Sequence, residues 1–407
     1  MAIIRPFPAL RPEPSAAAAV AAVPYDVVST IEARRLAADN PLSFLHVSRA
    51  EIDLPDGADP YGQPVYERAA LNLKGLIERA PLVVDTEPAL YLYRMRTSGH
   101  EQIGLAGCFS LDEYDRDVIK RHERTRRDKE DDRTRHMVAL RAQTGIVFLT
   151  YRADAAVDGL VEAGAADPPL LDVAAPDGVR HSVWRLSAGA TSAAVSAFAD
   201  VSTVYIADGH HRIASAARAR DELAGGDPAH EARFFLGVAF PDRQTRILPY
   251  NRTVANLAGR TSAEFLDTLR ERFPVTVGGP PVPPKGGLAM YLEGAWHAID
   301  LAGAVDAAGG GEPAAQLDVA ILQDQILAPV LDVADIRTDT RVTFVGGARG
   351  VGTLEQAVDS GAAAVAFSLA AVTPDELLAV SDAGGIMPPK STWFEPKLRD
   401  GLLIHTI

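Results

Sequence analysis

The chain has 407 residues, of which 47% are hydrophobic and 23% charged, and its formal net charge is −14. This is a globular composition long enough for two or three lobes, and its acidic balance argues against a general binder of nucleic acid or of anionic membranes. Cys108 is the single cysteine, which rules out an internal disulfide and fits a reducing compartment. The opening Met-Ala-Ile-Ile-Arg-Pro-Phe-Pro lacks the apolar core of a signal peptide. No apolar run reaches the ~20 residues of a membrane span. The expectation is a cytoplasmic protein with neither nucleic-acid nor membrane partners, its oligomeric state left open.

In chain order, residues 23–28 read as a short strand, and Thr30 can cap a helix that starts near Ile31. Residues 43–47 read as another strand, with His46 on it as a core histidine or a ligand. Residues 61–80 have helical spacing, with Tyr66, Leu73 and Ile77 at apolar positions. Residues 89–95 and 102–111 read as paired strands, 126–143 as a helix and 146–151 as a strand. The Ala/Asp/Pro-rich stretch 152–186 carries no assignable pattern. Strands are expected at 234–240 and 245–249, and a helix at 261–273 capped by Thr261 or Ser262. Residues 278–287, Gly-Gly-Pro-Pro-Val-Pro-Pro-Lys-Gly-Gly, read as a linker or long loop. Beyond it come strands at 288–301, a low-complexity mobile loop at 302–313 and a helix at 316–332. The expected organisation is an N-terminal α/β lobe at 1–150, a core portion at 151–277 and a C-terminal α/β portion at 288–407.

The most informative stretch is Val204-Tyr205-Ile206-Ala207-Asp208-Gly209-His210-His211-Arg212, followed by a run rich in helix formers. It reads as strand, tight turn and helix, so the turn lies at a helix N-terminus, where backbone N–H groups and the dipole favour an anion. Gly209 makes the turn, and His210, His211 and Arg212 add donors for a phosphate. A carboxylate at that spot, Asp208, makes sense if it binds a metal ion or takes a proton. The alternative is an Asp-Gly turn whose polar residues face water.

Residues 116–141 hold ten Lys/Arg and six Asp/Glu, a net of +4, while the rest of the chain sums to −18. A basic cluster in an acidic protein suggests a pocket for a small polyanion. Within Lys120-Arg121-His122-Glu123-Arg124-Thr125, Glu123 is embedded among cations and stays ionised, as a general base requires. The alternative, strongest for 126–141, is a solvated helix face laced with i,i+4 ion pairs. In the tail, three prolines frame Lys390-Ser391-Thr392, a cation and two hydroxyls suited to an anion. The alternative there is a segment merely packed on the core through Trp393 and Phe394. No Walker-type loop, Gly-x-Ser-x-Gly elbow or zinc spacing is present in the sequence.

The Gly-His-His-Arg element between a strand and a helix resembles the phosphate-binding box of the ParB/sulfiredoxin-like fold. Six blocks in order carry a closer likeness: Tyr-Asp-Val-Val at 25–28, Ser-Phe-Leu-His-Val at 43–47, Lys-Arg-His-Glu-x-Thr at 120–125, Ala-Asp-Gly-His-His-Arg at 207–212, Leu-Pro-Tyr-Asn-Arg at 248–252, and Met-Pro-x-Lys-Ser-Thr-x-Phe-x-Pro-Lys at 387–397. Together they are similar to a bacterial and archaeal family long described as a domain of unknown function, whose characterised relatives are free L-serine kinases using ADP, ATP or pyrophosphate. The resemblance implies a mixed α/β fold, with a ParB/sulfiredoxin-like core and additional α/β lobes. It implies that Glu123 is the base near the serine hydroxyl and that Asp208 is a second acidic group or a Mg²⁺ contact. It also implies that His210, His211 and Arg212 hold the transferred phosphate. Lys120, Arg121, His122, Thr125, Gly209, Lys390, Ser391 and Thr392 complete the expected donor site. A DNA-partitioning relative needs a basic helix-turn-helix after the box, and a sulfiredoxin needs a cysteine in it; neither is present. A phosphate- or nucleotide-sensing protein without kinase activity is the remaining alternative.

Overall fold

The computed structural model describes residues 2–79, 82–307 and 311–407. The chain divides into two compact units: residues 1–121, 125–245 and 396–407 form one, and residues 122–124 and 246–395 form the other. The first unit therefore draws on residues either side of position 150, and it reclaims the last twelve residues of the chain.

In the first unit, a mixed sheet has nine strands among the described residues. Its order is Ile119–Lys120, Val204–Asp208, Val147–Tyr151, Phe234–Pro241, Glu101–Ser110, Tyr91–Arg96, Arg180–Arg185 and Leu171–Ala174, with Ile4–Arg5 added on Glu101–Ser110. Val147–Tyr151 lies parallel to Phe234–Pro241 and is buried along its whole length. It is covered on both faces, and so reads as a continuous apolar run. Helix Arg127–Leu140 packs against helix His210–Leu223, where Ser215 Oγ donates to the Glu130 carbonyl at 3.2 Å. A second core gathers helix Gln63–Arg79 with Phe44, Leu45 and Val47. Of the three apolar positions expected on that helix, Tyr66 and Leu73 are buried and Ile77 is exposed.

Two short segments differ from expectation. Residues 23–28 hold a 3₁₀ turn, Tyr25–Val27, instead of a strand. Residues 43–48 hold the helix Leu45–Ser48, so His46 is on a helix. A short apolar run cannot be told from a buried helical turn by periodicity; here Ser43 Oγ accepts from Leu45 N at 3.3 Å and starts the turn. The helix near Thr30 is capped one residue earlier, by Ser29 with Glu32 in a capping box. The unassigned stretch 152–186 folds into helix Ala155–Gly164, capped by Asp154, and strands Leu171–Ala174 and Arg180–Arg185.

In the second unit the sheet order is Val275–Val277, Ala295–Asp300, Gly287–Leu292, Val365–Leu369, Tyr250–Val254 and Val342–Gly346. Residues 278–287 connect two strands that both pair with Ala295–Asp300, so this Gly/Pro-rich stretch is a loop inside one unit. The chain instead leaves the first unit after Thr245. Part of 302–313, expected as a loop, is helix Ala302–Ala307; residues 308–310 lie outside the described residues. Residues 318–331 are helical throughout, with a π-helical turn at Leu322–Leu327. The fold class is mixed α/β, as expected. No helix among the described residues is long and apolar enough to cross a membrane.

Candidate phosphate site

Strand Val204–Asp208 pairs with Val147–Tyr151, and its register shifts between Ile206 and Asp208. Such a bulge bends a strand and re-aims its end. Gly209 follows with φ of 106°, a conformation glycine adopts without strain. Helix His210–Leu223 starts at once, so the strand–turn–helix arrangement around the box is as expected. Lys120 lies on the neighbouring strand, in register with Tyr205.

Asp208 is the charged end of this arrangement. Its side chain is 30% exposed, and Lys397 Nζ donates to its Oδ2 at 2.7 Å. Burial by itself raises the pKa of this carboxyl, but the charge of Lys397, with Arg212 and His210 behind it, outweighs burial and holds the group far below the usual carboxylate range. A carboxylate held so low is a weak general base, because proton transfer at neutral pH is best served by a pKa near 7. A charged carboxylate here can hold positive charge, which is one of the two roles expected for Asp208.

The guanidinium of the box faces inward. Arg212 is 4% exposed. Its Nη2 donates to both oxygens of Asp26, at 3.0 and 2.9 Å, and its Nη1 to the Ile146 carbonyl at 2.6 Å. Gly145 makes room for it: a Cβ there would lie 3.2 Å from Arg212 Cδ. The guanidinium fork is thus engaged by a carboxylate and a carbonyl within the fold, while its Nε is buried without a partner. His211 Nε2 accepts from the Arg126 backbone N–H at 3.0 Å. An accepting nitrogen carries no proton, so in this arrangement His211 is a neutral imidazole that fixes the start of helix Arg127–Leu140. His210 is buried.

Tyr25 lies against two guanidinium groups, Arg133 at 4.3 Å and Arg212 at 5.4 Å from its ring centroid. Asp400 is 2% exposed nearby, and its carboxyl is pushed up to about 7 by burial, with Arg212 opposing. Thr125 Oγ1 donates to Glu130, and Arg121 stacks on Tyr114 at 5.7 Å.

The remaining expected residues belong to the second unit. His122, Glu123 and Arg124 group there, and the His122 carbonyl accepts from Met387 N at 2.9 Å. The Lys-Arg-His-Glu and Met-Pro-x-Lys-Ser-Thr blocks, remote in sequence, thus touch. Glu123 is half-buried and Lys390 exposed, with Lys390 Nζ lying 5.5 Å from the Tyr250 ring centroid. Ser391 is buried, and its hydroxyl donates to the Pro388 carbonyl at 2.6 Å, which commits it to the loop's own turn. Thr392 is half-buried. The loop is propped from beneath by Arg252, 1% exposed, whose Nη2 donates to the carbonyls of Pro389 and Lys390 at 3.3 and 3.1 Å. Phe394 is buried, and Trp393 packs on Tyr250 with ring centroids 5.2 Å apart.

Sequence reasoning assigned no role to Lys397, Asp26 or Arg399. Two of them stood inside blocks already singled out, Asp26 in Tyr-Asp-Val-Val and Lys397 at the end of the tail block. No local pattern pairs either with a partner nearly two hundred positions away.

The family model described as "Protein of unknown function (DUF1015)" matches residues 4–320. No curated protein matches the chain. Among solved structures, it is similar to SbnI with C-terminal truncation from Staphylococcus aureus, at 13% identity and a TM-score of 0.39, covering 74% of this chain and 87% of that one. It is similar to a conserved hypothetical protein from Pyrococcus furiosus at 14% identity and a TM-score of 0.36, covering 73% and 94%. It is also similar to a free serine kinase in complex with AMP at 12% identity and a TM-score of 0.34, covering 73% and 91%.

Proposed function

The chain belongs to the family described as "Protein of unknown function (DUF1015)", and from that premise we propose that it is a phosphotransferase acting on a small hydroxyl compound, free L-serine, to give O-phospho-L-serine. The observation that carries the reading is the construction at Asp208: a strand end re-aimed by a bulge, a left-handed Gly209 and a fourteen-residue helix starting behind it. Backbone N–H groups at a helix start favour an anion. A carboxylate in the same place is repelled by a bare phosphate, and is useful where a cation stands between them.

Phosphoryl transfer asks a protein mainly for positioning and for charge to offset the donor. In the proposed reaction the serine Oγ–P bond forms while the bridging P–O bond of the donor breaks, and Glu123 accepts the serine hydroxyl proton. Asp208 fits Mg²⁺ as one hard oxygen ligand: it is dissociated and partly exposed, and Lys397 is bonded to its Oδ2. When bound, the ion would neutralise donor charge. Lys120 and Lys390 would add positive charge. Pyrophosphate suits a chain without a Walker loop, and ATP and ADP are the other donors this reading admits.

The test supplies Mg²⁺, L-serine and one donor at a time to the purified chain, and reads O-phosphoserine by mass spectrometry. Product with at least one of the three donors is expected. No product with any donor, alongside retained binding of phosphate, overturns the kinase reading in favour of a phosphate sensor.

A further inference from the structure

We propose that Lys397 is the side chain that contacts the transferring phosphoryl group, carried to the box by the C-terminal segment and aimed by Asp208. The proposal rests on the phosphotransferase reading above and adds to it a residue that the box itself does not contain.

The first argument is placement. Residues 396–407 are built into the first unit. The Asp400 backbone pairs with Ala22, Ile404 pairs with Leu10, and the Ile407 N–H reaches the Arg141 carbonyl at 2.8 Å. From 396 to 405 every residue is buried except Lys397. A segment that served only to close the core would have no use for a charged side chain left 17% exposed there, since a buried apolar residue would add more. Lys397 sits instead at the end of the strand that opens the box helix, 2.7 Å from Asp208 Oδ2.

The second argument is the mobility of the cations around the box. Arg212 is bound to Asp26 and Ile146, and His211 accepts a backbone N–H. Both are fixed by the fold. Lys397 is a flexible point charge with three N–H donors. Its bond to Asp208 orients the head group.

The third argument is the latch beside it. Arg399 Nε donates to His181 Nε2 at 3.2 Å, its guanidinium pairs with Asp177, and its backbone N–H donates to Tyr93 Oη at 3.2 Å. His181 is buried and accepts at Nε2, so the latch holds a neutral imidazole. Two residues from Lys397, it removes the freedom a chain end otherwise has. Arg399 is thus a positioning residue, acting through Lys397.

The experiment compares the full-length protein with Lys397→Met and Lys397→Arg. Steady-state kinetics with the donor found active are read beside calorimetric binding of pyrophosphate and the thermal midpoint. Loss of one charged donor to a phosphoryl group lowers kcat by about 100-fold or more. We expect that loss in Lys397→Met, a return of at least about tenfold in Lys397→Arg, and weaker pyrophosphate binding in the Met variant. Should Lys397→Met unfold because Asp208 is left uncompensated, the double variant Asp208→Asn/Lys397→Met removes both charges and is compared with Asp208→Asn alone; weaker pyrophosphate binding in the folded double variant than in Asp208→Asn supports the proposal, and equal binding overturns it. Unchanged kcat, donor KM and pyrophosphate affinity in folded Lys397→Met overturn it while leaving the kinase reading intact. An inactive wild type overturns the kinase reading, and pyrophosphate binding then still decides Lys397. For the latch, Arg399→Lys should lower kcat with donor KM nearly constant, and a fall in the thermal midpoint with unchanged kcat would make it purely structural.

Discussion

Each unit carries an almost fully buried arginine behind one of its motifs, and the two are held in opposite ways. Arg212, in the box, faces the Asp26 carboxylate, and its pKa lies above the usual arginine range: burial opposes the charge, but Asp26 and Tyr25 outweigh it. Arg252, under the 387–392 loop, has carbonyls of Tyr250, Pro389 and Lys390 as acceptors and the Phe344 ring 5.4 Å away. Burial pushes its pKa down to about 9. Dipoles offset a buried charge less completely than an opposite charge does. The contrast teaches that the box arginine is held by an opposite charge, whereas the loop arginine is held by carbonyl dipoles.

The sharpest way to test whether both arginines are scaffolding is to remove a residue assigned to chemistry. Glu123→Gln should lose about 100-fold or more of turnover, as general-base removal does, with the thermal midpoint nearly unchanged. Near-normal turnover would return the catalytic role to the arginine-linked residues. Next in size is Asp26→Ala. Breaking a buried pair costs about 3–5 kcal/mol. Asp26 is 38% exposed, so water relieves part of this, and a loss of about 2–3 kcal/mol by urea denaturation is expected. Arg252→Met should cost about 1 kcal/mol or less, because an apolar side chain of similar volume can replace a buried charge nearly neutrally. Equal losses at both sites would break the contrast.

The smallest effect concerns pH. Asp400 is held at about 7 in the fold by burial, with the nearby Arg212 charge opposing, against roughly 3.9 in an unfolded chain. A carboxyl with a raised folded pKa stabilises the fold fully below its unfolded value and loses that contribution as pH rises toward the folded value. Stability should therefore fall between about pH 4 and about pH 7 in part through this group, and Asp400→Asn should flatten that slope. Parallel pH profiles for the two proteins would show that Asp400 does not titrate in this range.

The local elements were legible where a pattern has a local cause. The strand and the helix behind Gly209 follow from an apolar run, an Asp-Gly turn and helix formers in succession, while the register shift in that strand does not. Helix Ser262–Arg270 follows from the Thr261 cap. Five residues, 43–47, carry too little periodicity to tell a strand from a helix at His46, and the contacts of Phe44, Leu45 and Val47 with the core around Gln63–Arg79 select the helix. The 278–287 stretch has a linker's composition, yet the strands at its two ends share the partner Ala295–Asp300, and strand pairing is invisible to composition.

By itself, the sequence determined the class of the fold, the strand–turn–helix at the box and the family, because these follow from local propensity and from motifs contiguous in the chain. Tertiary structure alone decided the direction in which each box side chain faces. Arg212 turns inward because Asp26, 186 positions earlier, is there to meet it, and Asp208 keeps its charge because Lys397, 189 positions later, arrives on a segment anchored by its own buried residues. Both are contacts between charges brought together by packing, and a one-dimensional pattern records the charges but not their meeting.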